Sequence, residues 1–185
     1  MRNHKDNADA IGIRATIREF YERHPYPGPA ETLDQTTDDQ TRLADYHLLW
    51  PADAFRDDRS VLIAGCGTRQ AARHALRWPR ARVVGIDVGE TSIRHTQALK
   101  TKYGLSNLEL RHLPVEQAGE LDARFDQIVC TGVLHHLPDP DAGLTALQMA
   151  LAPGGVMQLM VYAPYGRAGI YLLQDYCRRI GIGAS

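Results

Sequence analysis

The sequence predicts an α/β fold, a doubly wound and mainly parallel sheet with a small helical cap at its N-terminus. Three observations carry this. From residue 60 onward short apolar runs alternate with helix-length amphipathic segments, the pattern of strands joined by crossover helices. One run, Val61-Leu62-Ile63-Ala64, passes directly into Gly65-Cys66-Gly67, a glycine turn of the kind that follows a buried strand and opens a helix. The chain has 185 residues, 44% hydrophobic and 23% charged, a composition that excludes disorder and a length that suits one main core plus a small appendage.

The elements follow in order. Over 10–23, Ile13, Ile17, Phe20 and Tyr21 recur at helical spacing while Arg14, Arg18, Glu19 and Glu22 stay on the wet face, so an amphipathic helix is expected. It stops at His24-Pro25-Tyr26-Pro27-Gly28-Pro29, where three prolines fix φ and remove donors. This stretch and the polar residues 31–41 read as a loop or lid. Leu43, Tyr46, Leu49 and Trp50 predict a second helix closed near Pro51. Residues 1–56 are therefore assigned to a helical cap and 57–185 to the sheet domain. Strands are predicted at 61–64, 82–87, 108–112, 127–130 and 156–162. Helices are predicted at 69–78, 90–103 (ended by Gly104), 141–150 and 166–180, the last with Arg178, Arg179 and Gly181 at its end. No internal repeat or low-complexity tract is present.

Charge and cysteine usage exclude several classes. The formal net charge of -1 supplies no clustered cations to attract phosphate backbones or anionic lipid, so neither nucleic acid nor a membrane is implied as a partner. Cys66, Cys130 and Cys177 are odd in number and contain no CxxC, so no disulfide framework or zinc site can be written from them. The histidines lack metal-ligand spacing, and no metal is expected. The first ten residues carry no signal-like apolar core, and no apolar run approaches the ~20 residues that span a bilayer. A soluble, cytoplasmic protein is expected.

The chemistry concentrates where strands end. About 20 residues past the glycine turn the second strand ends in Asp87, where a carboxylate can accept hydrogen bonds from two ribose hydroxyls. Together the turn and the acid indicate an adenosine-type ligand. A dinucleotide fingerprint needs a third glycine, but Gln70 stands at that place with Arg69 before it, and no GK[ST] follows for a P-loop. NAD, FAD and ATP lose support, which leaves an adenosyl ligand without phosphates.

Through most of 60–162 the chain resembles the class I S-adenosylmethionine-dependent methyltransferases, which implies a Rossmann-like fold and S-adenosyl-L-methionine as cofactor. The resemblance implies that Gly65, Cys66 and Gly67 pass under the methionyl part, that Asp87 with Val88 takes the ribose, and that Leu113-Pro114-Val115-Glu116 flanks the adenine. It further implies that Thr131, Gly132 and Val133, following Phe125-Asp126-Gln127-Ile128-Val129-Cys130, close over the methionine end. Leu151-Ala152-Pro153-Gly154-Gly155 matches a structural turn before the fifth strand. The sequence departs from the family pattern at Ile63, where an acid is common, and at Arg69, where a glycine is usual. The family's sheet usually has seven strands and only five are predicted here. The C-terminal strands are expected to be missing, or the open edge covered by the helix at 166–180 or by a partner chain, which makes a homodimer an expectation.

Methyl transfer from a sulfonium is an in-line displacement in which the enzyme positions the acceptor and excludes water. For a hydroxyl or phenol acceptor a base helps, and His135 and His136, just past the fourth strand, are the candidates. His24 and Tyr26 are candidates for a lid, and Tyr162 and Tyr165 for substrate contact. A small-molecule acceptor is expected. Two other readings stay open: a module that binds the adenosyl cofactor without turnover, and a nicotinamide-dependent oxidoreductase.

Overall fold

A computed structural model of the chain describes residues 19–25, 28–33, 39–163 and 165–182. Five strands form one parallel sheet in the order β3-β2-β1-β4-β5: β1 Ser60–Ala64, β2 Arg82–Asp87, β3 Leu108–His112, β4 Phe125–Thr131 and β5 Leu151–Met160. The helices are α1 Asp39–Leu49, α2 Gln70–Arg77, α3 Glu90–Tyr103, α4 Pro140–Ala150 and α5 Ala168–Arg179. The predicted parallel α/β architecture is observed.

The central strands β1, β2 and β4 read as mainly apolar runs because both faces of the sheet are covered there. On one face Val61, Ile63 and Val83 pack with Ala71, Ala72 and Ala75 of α2 and Leu99 of α3. On the other, Leu62, Ala64, Val84, Ile86 and Ile128 pack with Ala146, Leu147 and Ala150 of α4 and with Val115, Ala118 and Phe125. The alanines let α2 lie close, and Gly85 of β2 completes the fit, since a Cβ there would stand 2.8 Å from that of Ala71. α3 ends at Gly104 (φ +61°), with the Leu105 amide donating to the Lys100 carbonyl, as a left-handed glycine cap permits.

The described parts of 1–56 divide between the two ends of the sheet. α1 sits where β1 begins: Tyr46 and Trp50 are buried, and the Arg59 guanidinium lies 3.9 Å from the Trp50 ring centre while donating to Tyr46 Oη and, at 2.8 Å, to Asp53. Arg77 of α2 pairs with Asp45. A cavity of about 200 Å³ beneath α1 is lined by Trp50, Arg59, His74, Arg77 and Gln127, away from the strand ends that bear Asp87. By contrast, residues 19–25, helical over 19–23, and residues 28–33 lie across the carboxyl ends of the strands.

Several expectations are corrected. β5 begins at Leu151, not 156, and ends at Met160. Phe125 pairs with Leu151 and Gln127 with Val156, so 152–155 stand opposite Asp126 alone and the proline-glycine stretch is a bulge within the strand, where an unpaired insertion tolerates Pro. Two 3₁₀ turns that periodicity did not indicate, Val115–Glu120 and Leu134–His136, follow β3 and β4. α5 does not cover the sheet edge: none of its residues is buried, Ile170, Leu172 and Leu173 are exposed, and so are Leu159 and Val161 at the end of β5. Among the described residues no strand pairs with the outer edge of β5 and no helix is long and apolar enough to cross a membrane. Tyr26 and most of the helix expected over 10–23 lie outside the described residues.

Candidate active site

The site is built at the carboxyl edge where β1, β2 and β4 end, the place an open parallel sheet offers a ligand. After β1 the chain turns through Gly65 (φ +72°) and Gly67 (φ +55°), backbone angles that side-chain-bearing residues avoid. The amides of Gly65 and Cys66 both donate to the Ile86 carbonyl at 2.9 Å, which ties the turn to the end of β2. Asp87 follows immediately. One carboxylate oxygen accepts from the Gly67 amide and the other from the Gly89 amide, each at 2.8 Å, so both are fixed in direction and each retains a lone pair for a further donor. Burial pushes the Asp87 carboxyl above the usual range, against the pull of those two amides. Thr96 of α3 donates to the Gly67 carbonyl at 2.9 Å and locks the turn from behind.

The other predicted cofactor residues gather at the same edge, with differences in what they expose. Val88 presents its carbonyl to His112 Nε2 at 2.8 Å. Pro114 precedes the turn after β3, Glu116 is half-buried, and Val115 packs its side chain into the core, so that position offers backbone rather than a side chain. Thr131 ends β4, Gly132 (φ +75°) donates to the Met160 carbonyl, and Val133 lies over Gly65: a Cβ at Gly65 would stand 2.3 Å from Val133 Cγ2. Ile63 is fully buried in the core. Cys66 and Cys130 are buried free thiols, that of Cys66 pushed well up by burial and that of Cys130 to about 11, so both stay protonated and inert.

The two histidines stand across the edge from Asp87 in a stack of planar groups. The His135 ring centre lies 4.1 Å from that of His136 and 4.2 Å from that of Tyr162, and the Arg167 guanidinium lies 4.0 Å over Tyr162. Both ring nitrogens of His135 are buried without a hydrogen-bond partner among the described residues. Burial holds both imidazoles below the ordinary value of 6.5, with the Arg167 charge adding to it, so both are neutral bases near pH 7. Tyr162 thus joins the histidines, whereas Tyr165 is 95% exposed and does not. His24 is exposed against Phe20.

Two residues that sequence reasoning missed complete the site. Tyr21 Oη is 3.1 Å from His136 Nε2. The Glu22 carboxylate accepts from the amides of Glu90 and Thr91 and from the Thr91 hydroxyl, capping α3 just past Asp87. Periodicity marked Tyr21 as an apolar-face residue and Glu22 as solvated. Nothing local in sequence signals partners that far along the chain.

The donor set suits an adenosyl group without phosphates. The oriented Asp87 oxygens keep lone pairs that suit hydroxyl donors and, with Glu22 beside them, disfavour phosphate, while α2 begins at Gln70 behind Arg69 with no glycine for a pyrophosphate to approach.

Comparison with known proteins places the chain among methyltransferases. Residues 62–157 match the methyltransferase domain family. An uncharacterised protein of Synechococcus sp. is 38% identical over 117 residues, covering 62% of this chain and 28% of that protein. The ubiquinone biosynthesis O-methyltransferase of Acinetobacter baylyi is 34% identical over 98 residues, 52% of this chain and 41% of the enzyme. The chain therefore spans less than half the length of these curated relatives. Among solved structures, PKMT2 from Rickettsia typhi in complex with AdoHcy superposes with a TM-score of 0.56 at 25% identity over 72% of this chain and 26% of that one. A glycine turn joined to a strand-end aspartate, and a family match across the strands that carry both, place the chain in the class I S-adenosylmethionine-dependent methyltransferase family.

Proposed function

We propose that this domain binds S-adenosylmethionine between the glycine turn and Asp87 and transfers its methyl group to a hydroxyl of a small molecule. The observation that carries this is the Asp87 carboxylate, oriented by the Gly67 and Gly89 amides at the strand edge that also bears the two neutral histidines. When bound, the cofactor supplies a methyl group on a sulfonium, open to in-line displacement. Asp87 holds the ribose hydroxyls. The Gly65–Gly67 backbone admits the methionyl chain, and Val133 and Gly132 wall it. His136 takes the acceptor hydroxyl's proton as the oxygen attacks, and Tyr162 and Arg167 shape the acceptor side. The identity of the A. baylyi relative as an O-methyltransferase supports an oxygen acceptor. The buried, unbridged thiols support a cytoplasmic setting.

A thermal melt with S-adenosylhomocysteine, and with NAD and ATP as controls, tests the reading. Ligand at a hundredfold its Kd adds about 2.7 kcal/mol, a rise of roughly 5–10 °C for a chain of this length. A rise with S-adenosylhomocysteine alone is expected, and Asp87→Ala should weaken its binding at least ~10-fold by calorimetry, the loss of one charge-assisted pair of hydrogen bonds. A rise with NAD instead would replace this reading with the oxidoreductase.

A further inference from the structure

The helical stretch 19–23 touches both walls of the site with consecutive residues. Neighbours on a helix diverge by about 100°, so Tyr21 and Glu22 face different ways. Tyr21 reaches the β4 side, where its ring meets that of His136 edge-on at 5.8 Å and its hydroxyl lies 3.1 Å from Nε2. Glu22 reaches the β2 side and caps α3, accepting from the Thr91 amide at 3.2 Å. Downstream the same strand of chain is fastened again: Thr68 Oγ1 donates to the Gly28 carbonyl, Lys102 Nζ to the Glu31 carbonyl at 2.6 Å, and the Leu33 amide to Tyr103 Oη at 2.9 Å.

We infer that residues 19–23 are a clasp across the site, in which Glu22 is the anchor and Tyr21 is a positioning residue that fixes the orientation and tautomer of His136. The inference rests on the reading of His136 as the base. With its Nε2–H donating to the Tyr21 oxygen, His136 keeps the Nδ1 lone pair for the acceptor's proton, and the ring cannot turn without breaking that bond. The groups around the imidazole are Tyr21 from the clasp, His135 on its own turn, and Tyr162 and Arg167 beyond β5. Of these, Tyr21 makes the hydrogen bond to the ring. Glu22, ionised and held below the ordinary carboxyl range first by the Thr91 hydroxyl, keeps Tyr21 in place from the opposite wall.

The test is the His136 ring N–H proton and titration midpoint, followed by NMR in the full chain and in Tyr21→Phe and Glu22→Gln. In the native protein the Nε2–H signal should be visible and slow to exchange. Tyr21→Phe should speed that exchange about tenfold and lower the midpoint, because the oxygen that accepts from the imidazolium is gone. Glu22→Gln, which leaves the ring's own partner intact, should move the same two readouts in the same direction. An unchanged His136 signal in Tyr21→Phe overturns the positioning role, and an unchanged signal in Glu22→Gln overturns the clasp. Calorimetry with S-adenosylhomocysteine on the same samples judges the functional reading separately: failure of the native chain to bind, with the His136 signal as expected, would refute the methyltransferase reading and leave the clasp standing.

Discussion

Gly65 carries the tightest steric constraint at the site. It needs a left-handed backbone and has Val133 against the place where a side chain would begin. Gly65→Ala should cost about 2–4 kcal/mol, from backbone strain and overpacking together. A urea melt of Gly65→Ala, of Val133→Ala and of the double variant separates the two: trimming Val133 relieves the clash but not the φ, so the double should lose less than the singles combined. This residue and Asp87 were legible in the sequence because the requirement is local. A glycine turn, and an acid at the end of the next strand, betray themselves within about 20 residues. Tyr21 did not, since the hydrogen bond that gives it meaning spans 115 positions, and a tyrosine on an apolar helix face looks the same whether its hydroxyl meets a base or water.

Among the helices, α4 is set most explicitly by its own start. The Asp139 side chain accepts from the Ala142 amide at 3.0 Å and Pro140 occupies the first turn. Asp139→Ala should remove about 1 kcal/mol and lower Tm by roughly 2–4 °C, measured by a calorimetric scan. The central strands β1, β2 and β4 were readable for the same reason that the sheet is stable, because strands buried on both faces must be mainly apolar without alternation. The start of β5 was not. Pro153-Gly154-Gly155 reads as a breaker, and only the pairing of Phe125 with Leu151 across the sheet keeps the strand going around a bulge. The short 3₁₀ turns after β3 and β4 escaped as well, three to six residues being too few to show a period.

Taken together, the molecule is braced at both sheet ends by its N-terminal part, and this shapes its response to acid. His74, half-buried beneath α1, is held at about 4 by burial and by the charge of Arg77, against an ordinary 6.5. The unfolded chain protonates it near 6.5 while the folded one does not, so stability is full above that pH and falls on acidification toward about 4, by on the order of 2 kcal/mol. Urea melts at pH 7 and pH 5 should show the loss, and His74→Gln should make it shallower. The family and the parallel sheet were legible; the division of the described residues among the first 56 between the two sheet ends was not, because it depends on tertiary anchors such as Arg59 with Trp50 and Glu22 with Thr91. The central place of β1 has a bearing on how the protein comes into being. Its partners on one side, β2 and β3, are complete by His112, whereas its partner on the other begins only at Phe125, where Asp126 accepts from the Ser60 amide at 2.8 Å. A chain emerging from the ribosome N-terminus first can therefore close the half of the sheet that holds Asp87 before the histidine half has been synthesised, so that the Asp87 end of the edge is the older part of every newly made molecule.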